Sequence, residues 1–214
     1  MTPLARYRYI VVEGPIGVGK TSLTKKLAAH LQADLLLENA ADNPFLPRFY
    51  QDPKRYALAT QLHFLFDRAR QVSQLAQGDL FRHSIVSDFL LDKDRLFARL
   101  NLDDDEYDLY RKVYDDLALQ SPVPDLVIYL QAPVDKLKSR VKRRGIDYEQ
   151  GMSADYLDRL ASTYSEFFHH YDAAPVLMVN SDNLNFVKSA ADFELLLERI
   201  AKMRGPREFF SRAA

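Results

Sequence analysis

Short apolar runs punctuate this chain at intervals, with longer stretches of mixed character between them. Tyr9-Ile10-Val11-Val12, Asp34-Leu35-Leu36-Leu37-Glu38 and Ser84-Ile85-Val86-Ser87-Asp88 each read as a buried strand. Asp125-Leu126-Val127-Ile128-Tyr129-Leu130 and Pro175-Val176-Leu177-Met178-Val179-Asn180 read the same way. Helical stretches separate them. Strands that alternate with helices predict a parallel sheet covered on both faces. Over residues 53–77, Leu58, Leu62, Leu65, Ala69 and Val72 recur at three- and four-residue spacing, the stripe of a long buried helix. Gln61 and Arg68 lie two turns apart beside that stripe. They are either solvated neighbours of a core or members of a site. Further helices are predicted near 93–100 and 103–119, from Pro133, and from Ser153. Asp103-Asp104-Asp105-Glu106 reads as the acidic cap of a helix in preference to a metal site.

Composition narrows the class. With 214 residues and 47% hydrophobic content, the chain suits one α/β domain spanning 1–214. A net charge of −1 provides no broad basic field, so neither nucleic acid nor a membrane is an expected partner. There is no cysteine, which excludes disulfides, thiolate catalysis and Cys-based zinc sites. No apolar run approaches the ~18 residues of a membrane span, and the N-terminus lacks a signal-peptide core. A cytoplasmic location is expected. His30, His63, His83, His169 and His170 show no metal-binding spacing with carboxylates.

The candidate chemistry begins at Glu13-Gly14-Pro15-Ile16-Gly17-Val18-Gly19-Lys20-Thr21-Ser22. From Gly14 this fits G-x-x-x-x-G-K-[ST], set between a strand and a helix as that motif requires. Its glycines let backbone N–H groups curl around a phosphate chain, and the helix N-terminus adds positive potential. Lys20 can reach the β- and γ-phosphates, and the Thr21 hydroxyl can ligate Mg2+. The fold class is therefore α/β of the P-loop NTPase type, with five parallel strands flanked by helices. Ligands of such sheets sit at the carboxyl ends of the strands. Those ends hold this loop, Glu38, Asp88, Gln131-Ala132-Pro133 and the 180–183 segment. The basic helix end Arg140…Arg143-Arg144-Gly145 and the loop to Gly151 fit a nucleic-acid patch, a solvated turn, or a lid of about 140–152 that carries arginines over a phosphoryl group. A switch GTPase would carry Asn-Lys-x-Asp after a later strand, and this chain does not.

Taken together, several segments resemble the deoxyribonucleoside kinase family, in its bacterial deoxyguanosine/deoxyadenosine kinase branch. They are the phosphate loop, Glu38, Asn43-Pro44-Phe45-Leu46-Pro47-Arg48-Phe49-Tyr50, Gln61…Arg68, Asp88 through Ala98, and Arg140…Arg144…Glu149-Gln150-Gly151. The resemblance implies ATP-dependent phosphorylation of a deoxynucleoside 5′-hydroxyl in nucleotide salvage, with Mg2+. Glu38 matches the general base, and Lys20, Arg140 and Arg144 match groups on the phosphates. Tyr50 and Glu149 match contacts to the sugar. Gln61, Arg68 and Asp94 match base-reading positions, with Phe64 among aromatic residues that can stack on the base. Thr21 and Asp88 match the Mg2+ shell, and Asp182-Asn183 the loop beside the adenine of ATP. A purine acceptor is expected, deoxyguanosine or deoxyadenosine, with deoxycytidine as a further substrate. A helix-mediated dimer is implied, a homodimer or a pairing of unlike subunits.

One departure stands out. Many members carry Arg-Ser directly after the strand-three carboxylate, where this chain has Phe89-Leu90. Arg143, Arg144 or Arg95 are the candidates to replace that arginine. Two other readings follow from the same features: a thymidylate-kinase-like nucleoside monophosphate kinase, and a catalytically silent nucleotide-binding subunit. A carboxylate at Glu38 suits a neutral hydroxyl better than a phosphate dianion, because like charges repel.

Overall fold

The strand buried along its whole length lies in the middle of the sheet. β1 (Tyr9–Glu13) is buried at every position. It pairs in parallel with β3 (Ile85–Ser87) on one side and β4 (Leu126–Gln131) on the other. β2 (Asp34–Leu36) lies outside β3, and β5 (Val176–Asn180) and β6 (Arg207–Phe210) continue beyond β4. The order β2-β3-β1-β4-β5-β6 is parallel throughout. The structure, a computed structural model, describes Leu4 and residues 6–77, 84–117 and 121–212. The N-terminal residues 1–3 and 5, His83, and the predicted end of a helix at 119 lie outside the described residues.

Side chains of a strand point to alternate faces, and here both faces are apolar. Ile10, Val12, Ile128 and Leu177 pack on one face against Leu23 and Leu27 of α1 (Lys20–Leu31) and Leu196 and Ile200 of α8 (Ala190–Lys202). Val11, Val127, Tyr129 and Val176 pack on the other against Leu160, Tyr164 and Phe168 of α7 (Ala154–His170) and Leu96 of α4 (Lys93–Asn101). A third cluster joins α2 (Leu46–Phe49), α3 (Pro53–Gln77) and α5 (Asp104–Asp116) through Phe49, Ala57, Leu65 and Tyr110.

The structure corrects two expectations and rules out a solvated position for Gln61 and Arg68. The sheet has six strands, not five. β6 offers only Phe209 and Phe210 as apolar residues and owes its place to main-chain pairing with β5. The second predicted strand is not buried: it ends at Leu36, and Leu35 is 44% exposed at the sheet edge. Glu38 therefore rides on a loop just beyond the strand. Gln61 and Arg68 are each only 4% exposed, so α3 is buried on its polar side as well as along its stripe. The acidic run caps α5 as predicted. Asp103 accepts from the Glu106 N–H at 2.9 Å, and Glu106 accepts from the Asp103 N–H at 3.3 Å. α6 (Val134–Arg144) ends on Gly145 at φ 72°, and Ser153 caps α7.

Candidate active site

The phosphate loop owes its shape to close packing. A Cβ at Gly14 would stand 2.3 Å from the Leu130 carbonyl oxygen, and one at Gly17 would stand 2.7 Å from that of Leu137. Gly19 meets no neighbour but holds φ 106° at the N-cap of α1, where a side chain is disfavoured. Lys20 Nζ donates to Gly14 O at 2.7 Å and Pro15 O at 3.3 Å, folding the side chain over the loop. Burial first, and Lys93 second, lower its pKa to about 8 against the opposite pull of Glu13, Glu38 and Asp88. Residues 16–23 line a cavity of about 780 Å3. Gly14 and Pro15 stand behind it. The Gly14 N–H is taken by Glu13 Oε2 at 3.0 Å, so the cradle begins at Ile16 and continues through Gly17, Val18, Gly19, Lys20, Thr21 and Ser22.

Glu38 faces the same cavity. Arg68 Nε donates to its Oε1 at 2.9 Å, and Arg68 Nη2 donates to the same oxygen. Lys93 Nζ stands 3.8 Å from that oxygen too. Among the described residues no hydrogen bond engages Oε2. Burial would push the Glu38 carboxyl up, but Arg68, Lys93 and Lys20 outweigh it and hold the pKa down at about 2. The Glu38 N–H donates to Asp88 Oδ1 at 2.7 Å, which ties the loop after β2 to the tip of β3.

Asp88 also accepts from the Thr21 hydroxyl at 2.6 Å on Oδ2. A hydroxyl and a carboxylate are hard oxygen donors of the kind Mg2+ takes. Among the described residues no group of three or more His, Cys, Asp or Glu side chains is clustered for a metal. The pair fits an ion that keeps most of its shell from water and phosphate oxygens.

The cavity is also lined by Tyr50, Gln61, Phe64, Arg68 and Glu149. Phe64 lies under the Arg68 guanidinium, its ring centroid 5.1 Å away. Gln61 Nε2 donates to Asp94 Oδ1 at 2.8 Å and to Asp94 O at 3.1 Å, which leaves the Gln61 carbonyl oxygen for a ligand. Tyr50 stacks on Tyr148, and burial raises its pKa well above the usual phenol value. Arg144 is paired with Glu149 through Nε at 3.1 Å and through Nη2.

Two expected roles change. Asp94 is fully buried and does not line the cavity. It accepts from Gln61, Arg68 Nη1 and the Tyr110 hydroxyl, so it orients the residues that face the ligand. Arg140 is committed to Val18 O at 3.0 Å and Ser181 O at 2.9 Å, and clasps the phosphate loop to the end of β5. Asp182 lines the cavity there and pairs with Lys136 at 3.4 Å. Of the candidates to replace the missing arginine, Arg95 is turned away to Asp115, Arg144 holds Glu149, and Arg143 lines the cavity without an ion pair to Glu38. The cation actually beside Glu38, after Arg68, is Lys93, only 2% exposed, with Nζ 3.0 Å from Glu13 Oε1. Glu13 and Lys93 were not singled out from the sequence. Asp92-Lys93-Asp94-Arg95 has the look of a solvated helix start, and no local signal marks Lys93 as buried.

A phosphate cradle at the head of a parallel sheet, facing a carboxylate across one cavity, defines a P-loop phosphotransferase. The sequence profile described as deoxynucleoside kinase matches residues 10–204, and the chain belongs to that family. A deoxyadenosine kinase of Lactobacillus acidophilus is 35% identical over 210 residues, covering 91% of this chain and 96% of the relative. A deoxyguanosine kinase of the same organism is 34% identical, covering 89% of this chain and 88% of the relative. The solved structure of deoxyadenosine kinase from M. mycoides, with products dCMP and a flexible dCDP bound, superposes with a TM-score of 0.79 at 27% identity. It covers 91% of this chain and 100% of that one. The chain is thus a kinase of deoxynucleosides.

Proposed function

We propose that this chain transfers the γ-phosphoryl group of ATP to the 5′-hydroxyl of a purine deoxynucleoside, deoxyadenosine or deoxyguanosine, and also accepts deoxycytidine. We place it in nucleotide salvage in the cytoplasm, with Mg2+, as a homodimer. The observation that carries the reading is the state of Glu38: Oε1 is paired with two cations, among the described residues no hydrogen bond engages Oε2, and Glu38 lines a cavity shared with the phosphate cradle.

The steps follow from the residues. Backbone N–H groups of the loop and Lys20 hold the triphosphate tail and stabilise charge on the transferring group. Thr21 and Asp88 would hold Mg2+, which would supply neutralisation of phosphate charge. Tyr50 and Glu149 orient the sugar, and Gln61 and Arg68 the base. Glu38 Oε2 accepts the proton of the 5′-hydroxyl as its oxygen bonds to the γ-phosphorus and the bond to the β-phosphate oxygen breaks, releasing ADP. A carboxylate as acidic as Glu38 is a weak base in the resting site. Drawing Arg68 toward the acceptor base would make it a better one, so base recognition and proton acceptance share a residue. The names of the Lactobacillus relatives favour purines, and the dCMP of the M. mycoides structure favours deoxycytidine as a further substrate.

The test is a panel of deoxynucleosides, and their monophosphates as controls, with MgATP. Monophosphate formation from the purine deoxynucleosides is expected, with Glu38→Gln lowering kcat by at least ~100-fold. Turnover confined to monophosphate acceptors, or a Glu38→Gln enzyme near wild-type speed, would overturn the reading.

A further inference from the structure

Position 89, where an arginine was expected beside the phosphoryl group, is occupied by Phe89, 1% exposed and packed with Val72, Leu91 and Leu36. Leu90 is buried in the core beneath the sheet. Neither position can supply charge to the site. Arg68 holds Glu38, but its fork is also bound to Asp94, and it faces the part of the cavity assigned to the acceptor base. Lys93, the first residue of α4, is the second cation there. It lines the cavity, and its ammonium lies 3.0 Å from Glu13 Oε1 and 3.8 Å from Glu38 Oε1.

A buried lysine is costly unless it is paired. Glu13 provides a partner, but Glu13 does not need Lys93 to satisfy its oxygens. It already accepts from Gly14 N–H at 3.0 Å, Leu90 N–H at 2.8 Å and the Tyr164 hydroxyl at 3.1 Å. What Lys93 adds is a link from the end of β1 to Glu38. We propose that Lys93 is a positioning residue: it spans Glu13 and Glu38 and holds the proton-accepting carboxylate against the phosphate loop, in place of the arginine absent at position 89. Both cations grip Oε1, so Lys93 keeps Glu38 anchored when Arg68 turns to the acceptor base, with Oε2 still free for the hydroxyl. The inference rests on Glu38 as proton acceptor.

The experiment is a kinetic cycle on the full chain with MgATP and deoxyadenosine or deoxyguanosine. Lys93→Gln is expected to lower kcat at least ~10-fold while KM for both substrates stays within about threefold, and Lys93→Arg to restore kcat to within about threefold of wild type. If Lys93 acts through Glu38, adding Lys93→Gln to Glu38→Gln costs less than about twofold more. Losses that multiply in the double variant, or a folded Lys93→Gln enzyme with kcat within twofold of wild type, would overturn the proposal. Should Lys93→Gln fail to fold because Glu13 is left as a lone buried charge, Glu13→Gln with Lys93→Met removes both charges together. The same cycle with Glu38→Gln then decides, a vanishing loss supporting the role and a multiplying one overturning it. Failure of the underlying reading would show separately, in the wild-type and Glu38→Gln enzymes alone.

Discussion

Lys20 sits among charges of both signs, and that mixture has a measurable consequence. With its pKa near 8 in the ligand-free site, a large share of the amine is neutral at pH 8.5. A bound triphosphate favours the ammonium and raises that value. MgATP binding at pH 8.5 is therefore expected to take up roughly three-quarters of a proton, and much less at pH 7, where the lysine is already protonated. Calorimetry in buffers of different ionisation enthalpy measures this directly, and equal uptake at the two pH values would contradict the assignment. At this scale the motif residues Lys20 and Thr21 were legible, because their chemistry depends on local spacing. The burial of Lys93, and that of Asp94 behind the cavity wall, were not. Their burial comes from α3, α5 and α7 closing over the start of α4, which no window of sequence displays.

Elements explain why the loop tolerates so little change. At Gly14 the neighbour is backbone, the Leu130 carbonyl of β4, so an added methyl group would force β1 and β4 apart. Gly14→Ala is expected to destabilise the fold by at least about 2 kcal/mol and to abolish nucleotide binding. Gly19→Ala meets no atom within 4 Å and carries only the cost of its φ of 106°, about 1–2 kcal/mol. Thermal melts of the two variants should fall in that order, and the reverse order would refute the packing argument. The long helix α3, the cap of α5 and the Gly145 stop of α6 were all readable, since each is written in periodicity or capping chemistry. β6 was not, because a four-residue edge strand held by main-chain bonds carries almost no side-chain pattern. α8 had a readable signal in Ser189 followed by Phe193, Leu196, Leu197 and Ile200, and it went unread.

On the scale of the whole molecule, the sheet delivers the loop, Glu38 and Asp88 to one rim, as the switch-point geometry of parallel sheets requires. The proposed homodimer draws support from Phe66 on α3 and Leu109 on α5, large apolar side chains 48% and 49% exposed on helices that pack together. Light scattering is expected to give a dimer for the wild type and a monomer for Phe66→Glu with Leu109→Glu. A monomeric wild type, or a variant that stays dimeric, would exclude this surface.

The family resemblance supplied the expected roles of Glu38, Tyr50, Gln61, Arg68 and Glu149; the sequence by itself determined the α/β class, the phosphate loop and the long helix. Each rests on short-range rules of spacing, capping and alternation. Tertiary structure alone decided which charges meet. It placed Arg68 and Lys93 on one oxygen of Glu38, buried Asp94 behind the ligand-facing residues, and turned Arg140 into a clasp between loop and sheet. Those contacts join residues from 26 to 122 positions apart, and they exist only once the helices have closed over the sheet.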